Sequence, residues 1–283
     1  MMRKISFLII LGLLGLYSCS PKFYVFDAMY YREKPDLSEQ GVSKIKLIYE
    51  NRLVTDGMLD WNKIDEQIRQ TVEGVYKTVS IDIESWYDYR LKVSPEEVKV
   101  RLDSVFRAFK EAVPGCEIGN YGVPVQNLNV LRSANMLRGV KDETEIISRW
   151  EASSKVREPA GEVSDILLPS LYIFNHDIDR WEEDLKIEME YIRSKYPGKP
   201  VYIYLWPQCY NLKDNPDFLQ FLSGEQMERM LEASFALTDG VILWAAGRDL
   251  DDRTYIPWSD PRVQEMWSGV SRFLKRHHIR VKK

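Results

Sequence analysis

Cysteine and histidine are both scarce in this chain, with three of each among 283 residues. Cys19, Cys116 and Cys209 are too few for a disulfide framework or a thiolate zinc cluster. Cys116 and Cys209 allow at most one bridge, and two buried free thiols are the equally simple alternative. His277 and His278 fall in a basic tail, which leaves His176 alone, so no metal site is expected. No Gly-x-Gly-x-x-Gly turn follows the first strand-like runs and no Gly-x-x-x-x-Gly-Lys loop is present, so the backbone cradles that hold dinucleotide or nucleotide phosphates are missing and no cofactor is expected. The net charge is −4, a sign that argues against nucleic acid as a partner. Internal repeats and low-complexity linkers are also lacking.

What the chain does have begins with its first residues. Arg3 and Lys4 precede an apolar run from Ile5 to Leu16, shorter than the roughly 20 residues that span a bilayer and therefore a signal peptide in form. The run ends in Leu16-Tyr17-Ser18-Cys19, which resembles a bacterial lipobox. Residues 1–18 are expected to be removed and Cys19 lipidated, giving an exported protein held at a bacterial membrane through its lipid alone. Residues 19–283 are expected to form one domain, long enough for a large core.

Beyond Cys19, short β-rich runs alternate with longer stretches of helical period, the mark of successive βα units. Strands are predicted over Phe23–Ala28, Lys44–Tyr49, Thr78–Ile83, Glu117–Tyr121, Asp165–Tyr172, Pro200–Trp206 and Gly240–Ala245. Helices are predicted over Ser94–Ala112, Asp142–Ser154, Ile178–Tyr196 and Ser223–Leu237. Ser94-Pro95-Glu96-Glu97 supplies a capping serine, an N1 proline and first-turn acids, and Ser223 and Gln226 have capping-box spacing. Runs such as Val201–Leu205 are apolar on both faces, so both faces must be covered. The fold class these features predict is α/β, a distorted TIM-type (β/α) barrel with about seven to eight parallel strands; a doubly wound open sheet is the alternative.

The segment Thr78-Val-Ser-Ile-Asp82-Ile-Glu84-Ser-Trp86 carries the chemistry. Residues two apart on a strand point the same way, so Asp82 and Glu84 are expected to emerge together at the strand's C-terminal end, where barrel enzymes place their sites. Two adjacent carboxylates resist ionising together, so Glu84 is expected to keep a proton and act as general acid while Asp82 stays charged. Tyr49, Trp86, Tyr121, Tyr172, Tyr204, Trp206 and Trp244 lie at or near strand ends and are candidate sugar contacts, because aromatic faces stack on sugar rings. Any one of them taken alone is more simply read as packing. The expected partner is an oligo- or polysaccharide.

Taken in order, Lys46-Leu-Ile-Tyr49-Glu50-Asn51-Arg52-Leu53, Ile81-Asp82-Ile83-Glu84-Ser85-Trp86, Gly119-Asn-Tyr121-Gly-Val-Pro124, Leu168-Pro169-Ser170-Leu-Tyr172, Pro200-Val-Tyr202-Ile-Tyr204 and Gly240-Val-Ile-Leu-Trp244 resemble the successive strand motifs of the hyaluronidase family of glycoside hydrolases. The resemblance implies a distorted barrel with fewer than eight regular strands and a retaining hydrolysis in which the substrate's own N-acetyl oxygen attacks the anomeric carbon. It implies Glu84 as proton donor and Asp82 as the group that orients the acetamido, with Tyr121, Tyr172 and Trp244 lining the N-acetylhexosamine subsite. After Glu84 the family tends towards Trp-Arg-Pro, whereas this chain reads Trp86-Tyr87-Asp88. The loss of that basic residue is expected to disfavour a polyanion and to suit another N-acetylhexosamine glycan.

Three other readings stand beside this one. In one, Glu84 pairs as a conventional two-carboxylate hydrolase with Asp165, Asp177 or Asp249, of which Asp165 is badly placed at the start of its strand. In another, the groove binds a glycan without turning it over. In the third, Asp82 and Glu84 simply form ion pairs with Arg52 or Arg90 at the barrel rim.

Overall fold

The computed structural model describes residues 22–87 and 93–282; the segment read as a signal peptide, Cys19 and Arg90 lie outside them. Among the described residues no helix is long and apolar enough to cross a membrane. Strand β1 (Tyr24–Met29) pairs in parallel with the short β2 (Ser43–Lys44) on one side and with β9 (Gly240–Ala245) on the other, and β9 pairs with β8 (Tyr202–Leu205). A second parallel ladder joins β3 (Lys46–Tyr49), β6 (Thr78–Asp82) and β7 (Glu117–Asn120). A two-stranded hairpin, β4 (Val54–Thr55) and β5 (Met58–Leu59), follows β3.

Two irregular segments connect these ladders. Lys44–Tyr49, predicted as one strand, lies within residues 43–49, which change partner at Ile45, so that β2 belongs to β1 and β3 to β6. Asp165–Tyr172, predicted as a strand, makes single bridges instead: Leu168 to Tyr121, Leu167 to Val201 and Ser170 to Tyr204. Pro169 has no N–H to give, which interrupts the ladder, although Leu167, Leu168 and Leu171 still donate to carbonyls on either side. The pairings thus run from β1 through residues 43–49, β6, β7, residues 165–172, β8 and β9 and return to β1. This is the distorted α/β barrel expected, with seven strand positions. β7 and residues 165–172 approach so closely that a Cβ on Gly119 would overlap the Ile166 carbonyl, which is why that position has no side chain.

The helices pack around this ring. α2 (Pro95–Ala112) starts as its sequence predicts, Ser94 Oγ accepting from the Glu97 N–H at 3.2 Å, and buries Val98, Leu102, Val105, Phe106 and Phe109. α4 (Glu143–Lys155), α6 (Ile178–Lys195) and α7 (Gly224–Leu237) lie within a residue of prediction, and the capping box of α7 is formed. The sequence reading missed α1 (Trp61–Glu73), α3 (Leu128–Leu137), the short α5 (Glu158–Val163) and α8 (Pro261–His277). Asp60, Asn127 and Asp260 cap α1, α3 and α8, and Asp260-Pro261 is the same kind of start signal as Ser94-Pro95. α7 and α8 meet at Gly224 and Gly269, where a Cβ on either would strike the other helix's backbone.

Cys116 and Cys209 are buried free thiols in separate parts of the core. Burial pushes them up to about 11 and about 12, which leaves them unreactive.

One buried acid is not part of the ring. Glu188 on α6 accepts from the Leu128 N–H at the start of α3 (2.6 Å), and its second oxygen has no partner among the described residues. Burial lifts this carboxyl well above its ordinary range. The folded protein therefore keeps the proton, while the unfolded chain releases it above about pH 4.3. The contribution of this group to stability is fully present below that pH and is lost as pH rises through the folded-state titration. Glu188→Gln keeps an acceptor for Leu128 and removes the titration. The variant should melt above wild type at pH 8 and together with it at pH 4 in thermal unfolding followed by circular dichroism.

Candidate active site

The site is built from alternate residues of the strands. On β6, Ser80 faces inward, and its hydroxyl accepts from Tyr204 Oη of β8 at 2.6 Å across the barrel. Two residues further on, Asp82 faces the same way one layer higher. The next layer on β8 is Trp206, and Trp244 occupies that level on β9. Leu47, Asp82, Glu84, Tyr121, Tyr172, Tyr204, Trp206, Tyr210, Asn211 and Trp244 enclose a hollow of about 180 Å³.

Glu84 sits just past the end of β6, exposed to the groove. It also lines a hollow of about 280 Å³ with Tyr49, Glu50, Asn51 and Asp82, and a small one of about 70 Å³ with Gln126, Asn127, Arg157 and Ser170. The three hollows share Glu84 and read as one groove with that carboxyl at its middle. Asp82 and Glu84 therefore emerge together into open space. Larger hollows of about 480 and 490 Å³ exist elsewhere, but neither includes these carboxylates.

The aromatic wall is compact. Tyr172 stacks on Trp244 with centroids 5.6 Å apart, Trp206 meets Trp244 edge-on at 5.1 Å, and Tyr121 meets Tyr204 edge-on at 4.9 Å. Tyr121 Oη donates to Ser170 Oγ (3.1 Å), and the Trp244 indole donates to Tyr49 Oη (3.1 Å). Of the aromatics singled out from sequence, six line the groove: Tyr49, Tyr121, Tyr172, Tyr204, Trp206 and Trp244.

Trp86 does not, and that expectation is corrected. It is 2% exposed, its indole donates to Gly57 O (3.2 Å), and the Arg101 guanidinium lies over its ring at 5.2 Å. The 3₁₀ turn over Ser85–Tyr87 breaks the strand's alternation and turns this ring into the core beside α2.

Several groove residues carried no sequence signal of their own. Glu50 accepts from the Ser85 N–H (3.2 Å) and from the Ser85 hydroxyl, which ties the turn bearing Glu84 to the end of β3. Arg157, from the turn between α4 and α5, lies over the Tyr87 ring at 5.1 Å and lines the groove beside Glu84. A basic group is therefore present near the cleft, brought in from a distant segment, where the sequence beyond Glu84 predicted its loss. The capping pattern at Asn127 could have been read beforehand; Arg157, Tyr210 and Asn211 could not.

Burial, then the Glu84 and Glu50 charges, push Asp82 up to about 7. Glu84 is raised too, by desolvation, but the Arg157 charge pulls it back. Both carboxyls are thus pushed upward, and the pair resists ionising together. One oxygen of Asp82 is buried without a hydrogen-bond partner among the described residues. An ion pair between either carboxylate and Arg52 is not formed. Asp165 accepts from the Ile118 N–H and Lys110 at the far end of the barrel, Asp177 caps α6, and Asp249 pairs with Arg262, so none of these three lines the groove. Among the described residues no group of three or more His, Cys, Asp or Glu side chains is arranged to hold a metal ion.

A parallel α/β barrel with a carboxyl pair and an aromatic-walled groove at the C-terminal ends of its strands defines the class of molecule. No protein-family model matches the chain, and a search of curated proteins finds no match. Among solved structures, bee venom hyaluronidase superposes with a TM-score of 0.57 at 15% identity, over 91% of this chain and 100% of that one, so the two share a fold. An endo-β-1,4-mannanase double mutant from Cellulomonas fimi (TM-score 0.48, 13% identity, 89% and 71% covered) and a mannanase from Thermotoga petrophila (0.42, 12%, 90% and 99%) also align. These two likenesses are too distant to bear on the fold.

The charges around the pair give a direct check. Glu50→Gln removes a like charge, so Asp82 should titrate below its present value of about 7. Arg157→Gln removes an opposite charge, so Glu84 should titrate higher than in wild type. Carbon-13 NMR titration of the two carboxyls reads both shifts, and an unmoved Asp82 in the Glu50 variant would contradict this account of the site.

Proposed function

We propose that this protein is a glycoside hydrolase acting on an N-acetylhexosamine-containing glycan, with retention of configuration and assistance from the substrate's acetamido group. The observation that carries the reading is the Asp82 oxygen buried beside Glu84 without a partner among the described residues. A buried acceptor left open is costly unless something arrives to donate to it. An acetamido N–H is such a donor, and the Tyr172, Trp206 and Trp244 rings offer an apolar wall for the sugar it belongs to.

The chemistry then divides between the two acids. When the N–H approaches Asp82, the carboxylate form is favoured there, and the proton of the pair is held by Glu84. Glu84 gives that proton to the glycosidic oxygen as the bond to the anomeric carbon breaks, while the acetamido carbonyl oxygen bonds to that carbon from the opposite face. Asp82 stabilises the positive charge that develops on the acetamido nitrogen. A water molecule, losing its proton to Glu84, then opens the cyclic intermediate and restores the configuration. The hollows on either side of Glu84 lie where the sugars flanking the bond would sit.

Among the described residues the two-carboxylate alternative lacks a partner: Asp165, Asp177 and Asp249 are engaged elsewhere, and both Glu50 oxygens face Ser85. A glycan-binding protein without turnover would use the same groove and is separated from an enzyme by experiment. We also propose, on the Leu16–Cys19 pattern, that the protein is an exported lipoprotein anchored at Cys19.

Glu84→Gln should lower turnover of an aryl N-acetyl-β-hexosaminide or a matching oligosaccharide by at least about 10²-fold, the scale of a lost general acid, with binding by calorimetry little changed. Equal activity in variant and wild type removes this mechanism. A thiazoline mimic of the cyclic intermediate should inhibit the wild-type enzyme competitively, and an active enzyme indifferent to it would favour a nucleophile from the protein.

A further inference from the structure

The parallel strands give the barrel two unlike ends, and the groove occupies the end where the strands finish. At the other end, where they begin, the last residues of the chain fold back across the ring. The Lys282 N–H donates to Ser43 Oγ (2.8 Å), and its ammonium bonds Glu117 and Tyr202 Oη (2.7 Å) at the starts of β7 and β8. The same ammonium lies over the rings of Tyr202 (4.8 Å), Tyr24 (5.1 Å) and Phe26 (5.9 Å). A Cβ on Gly41 would overlap the Ile279 carbonyl, so the tail runs tight against residues 38–41.

Alongside it lies an open groove of about 480 Å³ lined by Lys275, His278, Arg280 and Val281, all exposed, with Glu39 as its acid. Lys275 and Arg280 form no ion pair within the described residues, whereas Arg276 and His277 are taken up by Glu228 and Glu232. Lys22, also exposed, stands two residues before β1 at this same end.

The chain outside the structure meets the barrel here. From Cys19 to Tyr24 is five residues, a reach of at most about 18 Å even when fully extended. The 18-residue helices α2 and α6 run beside the strands and are about 27 Å long. A tether that short does not extend past the barrel to its groove end.

We propose that the strand-start end of the barrel, presenting Lys22, Lys275, His278 and Arg280, docks on an anionic phospholipid bilayer, so that the glycan groove opens away from the membrane. The proposal rests on Cys19 being the lipid anchor and is independent of the hydrolytic chemistry. An acyl anchor brings the face to the surface, and the cations, within a Debye length of the headgroups, select its orientation.

The test uses the processed full-length protein on vesicles of phosphatidylcholine with or without phosphatidylglycerol, containing a headgroup quencher. A fluorophore is placed at Gln40→Cys beside the basic groove or at Lys213→Cys in the exposed loop after β8; the native Cys116 and Cys209 are buried. With phosphatidylglycerol present, quenching at Gln40 should be several-fold stronger than at Lys213. Lys275→Gln with Arg280→Gln, or omission of phosphatidylglycerol, should bring the two labels closer together.

Equal quenching at the two sites, or stronger quenching at Lys213, overturns the orientation. Quenching at Gln40 that ignores both the lipid charge and the two substitutions overturns the role of the basic residues. Mass spectrometry of the N-terminal peptide reports separately on lipidation. If the anchor reading fails there, a chain begun at Cys19 and coupled to a maleimide lipid puts the same face to the same measurement.

Discussion

The structure depends on holding two neighbouring carboxyls together at the end of β6, Asp82 half-buried and Glu84 facing the groove. Desolvation and mutual repulsion both oppose their ionisation, and an unconstrained turn would swing Glu84 away from Asp82 to relieve them. The fold prevents this from three sides. Asn120 on β7 accepts from the Ile83 N–H (3.3 Å) between the two acids and donates to Tyr121 O (2.9 Å). Glu50 holds Ser85 immediately after them. Beneath them, the Tyr204–Ser80 bond closes the barrel floor.

The groove built on this pair is asymmetric in charge. One hollow is bounded by Glu50 and Asn51, the other by Arg157, Gln126 and Asn127, with Glu84 between them. Arg157 reaches its place by packing over Tyr87 and donating to Ser153 O (2.9 Å), so the cation is positioned by α4 and α5 rather than by the strand that bears the acids. A ligand crossing this groove would meet unlike fields on the two sides of Glu84.

The two ends of the barrel divide the work. The finishing ends of the strands carry the acids, the aromatic wall and the long loops, as parallel barrels generally do. The starting ends are closed by the returning C-terminus, with Lys282 set among three aromatic rings and Glu117. That closure leaves the interior beneath the floor packed rather than open, with Phe26 and Ile242 fully buried.

Much of this was legible in the chain itself. Six of the seven predicted strands coincide with ladder strands to within a few residues, four helices start where their capping residues indicated, and the two-residue spacing of Asp82 and Glu84 places them on one groove. Those features follow from periodicity and backbone capping, which act over a few residues and are therefore written locally. What the tertiary structure alone decided was which neighbours the local pieces would meet. Pro169 broke a ladder that composition favoured, the turn after Glu84 sent Trp86 into the core, and Arg157 arrived beside Glu84 from a segment over seventy residues away. The upward push on both acids belongs to the same class, because desolvation and Coulomb repulsion depend on distance in space and not on order along the chain.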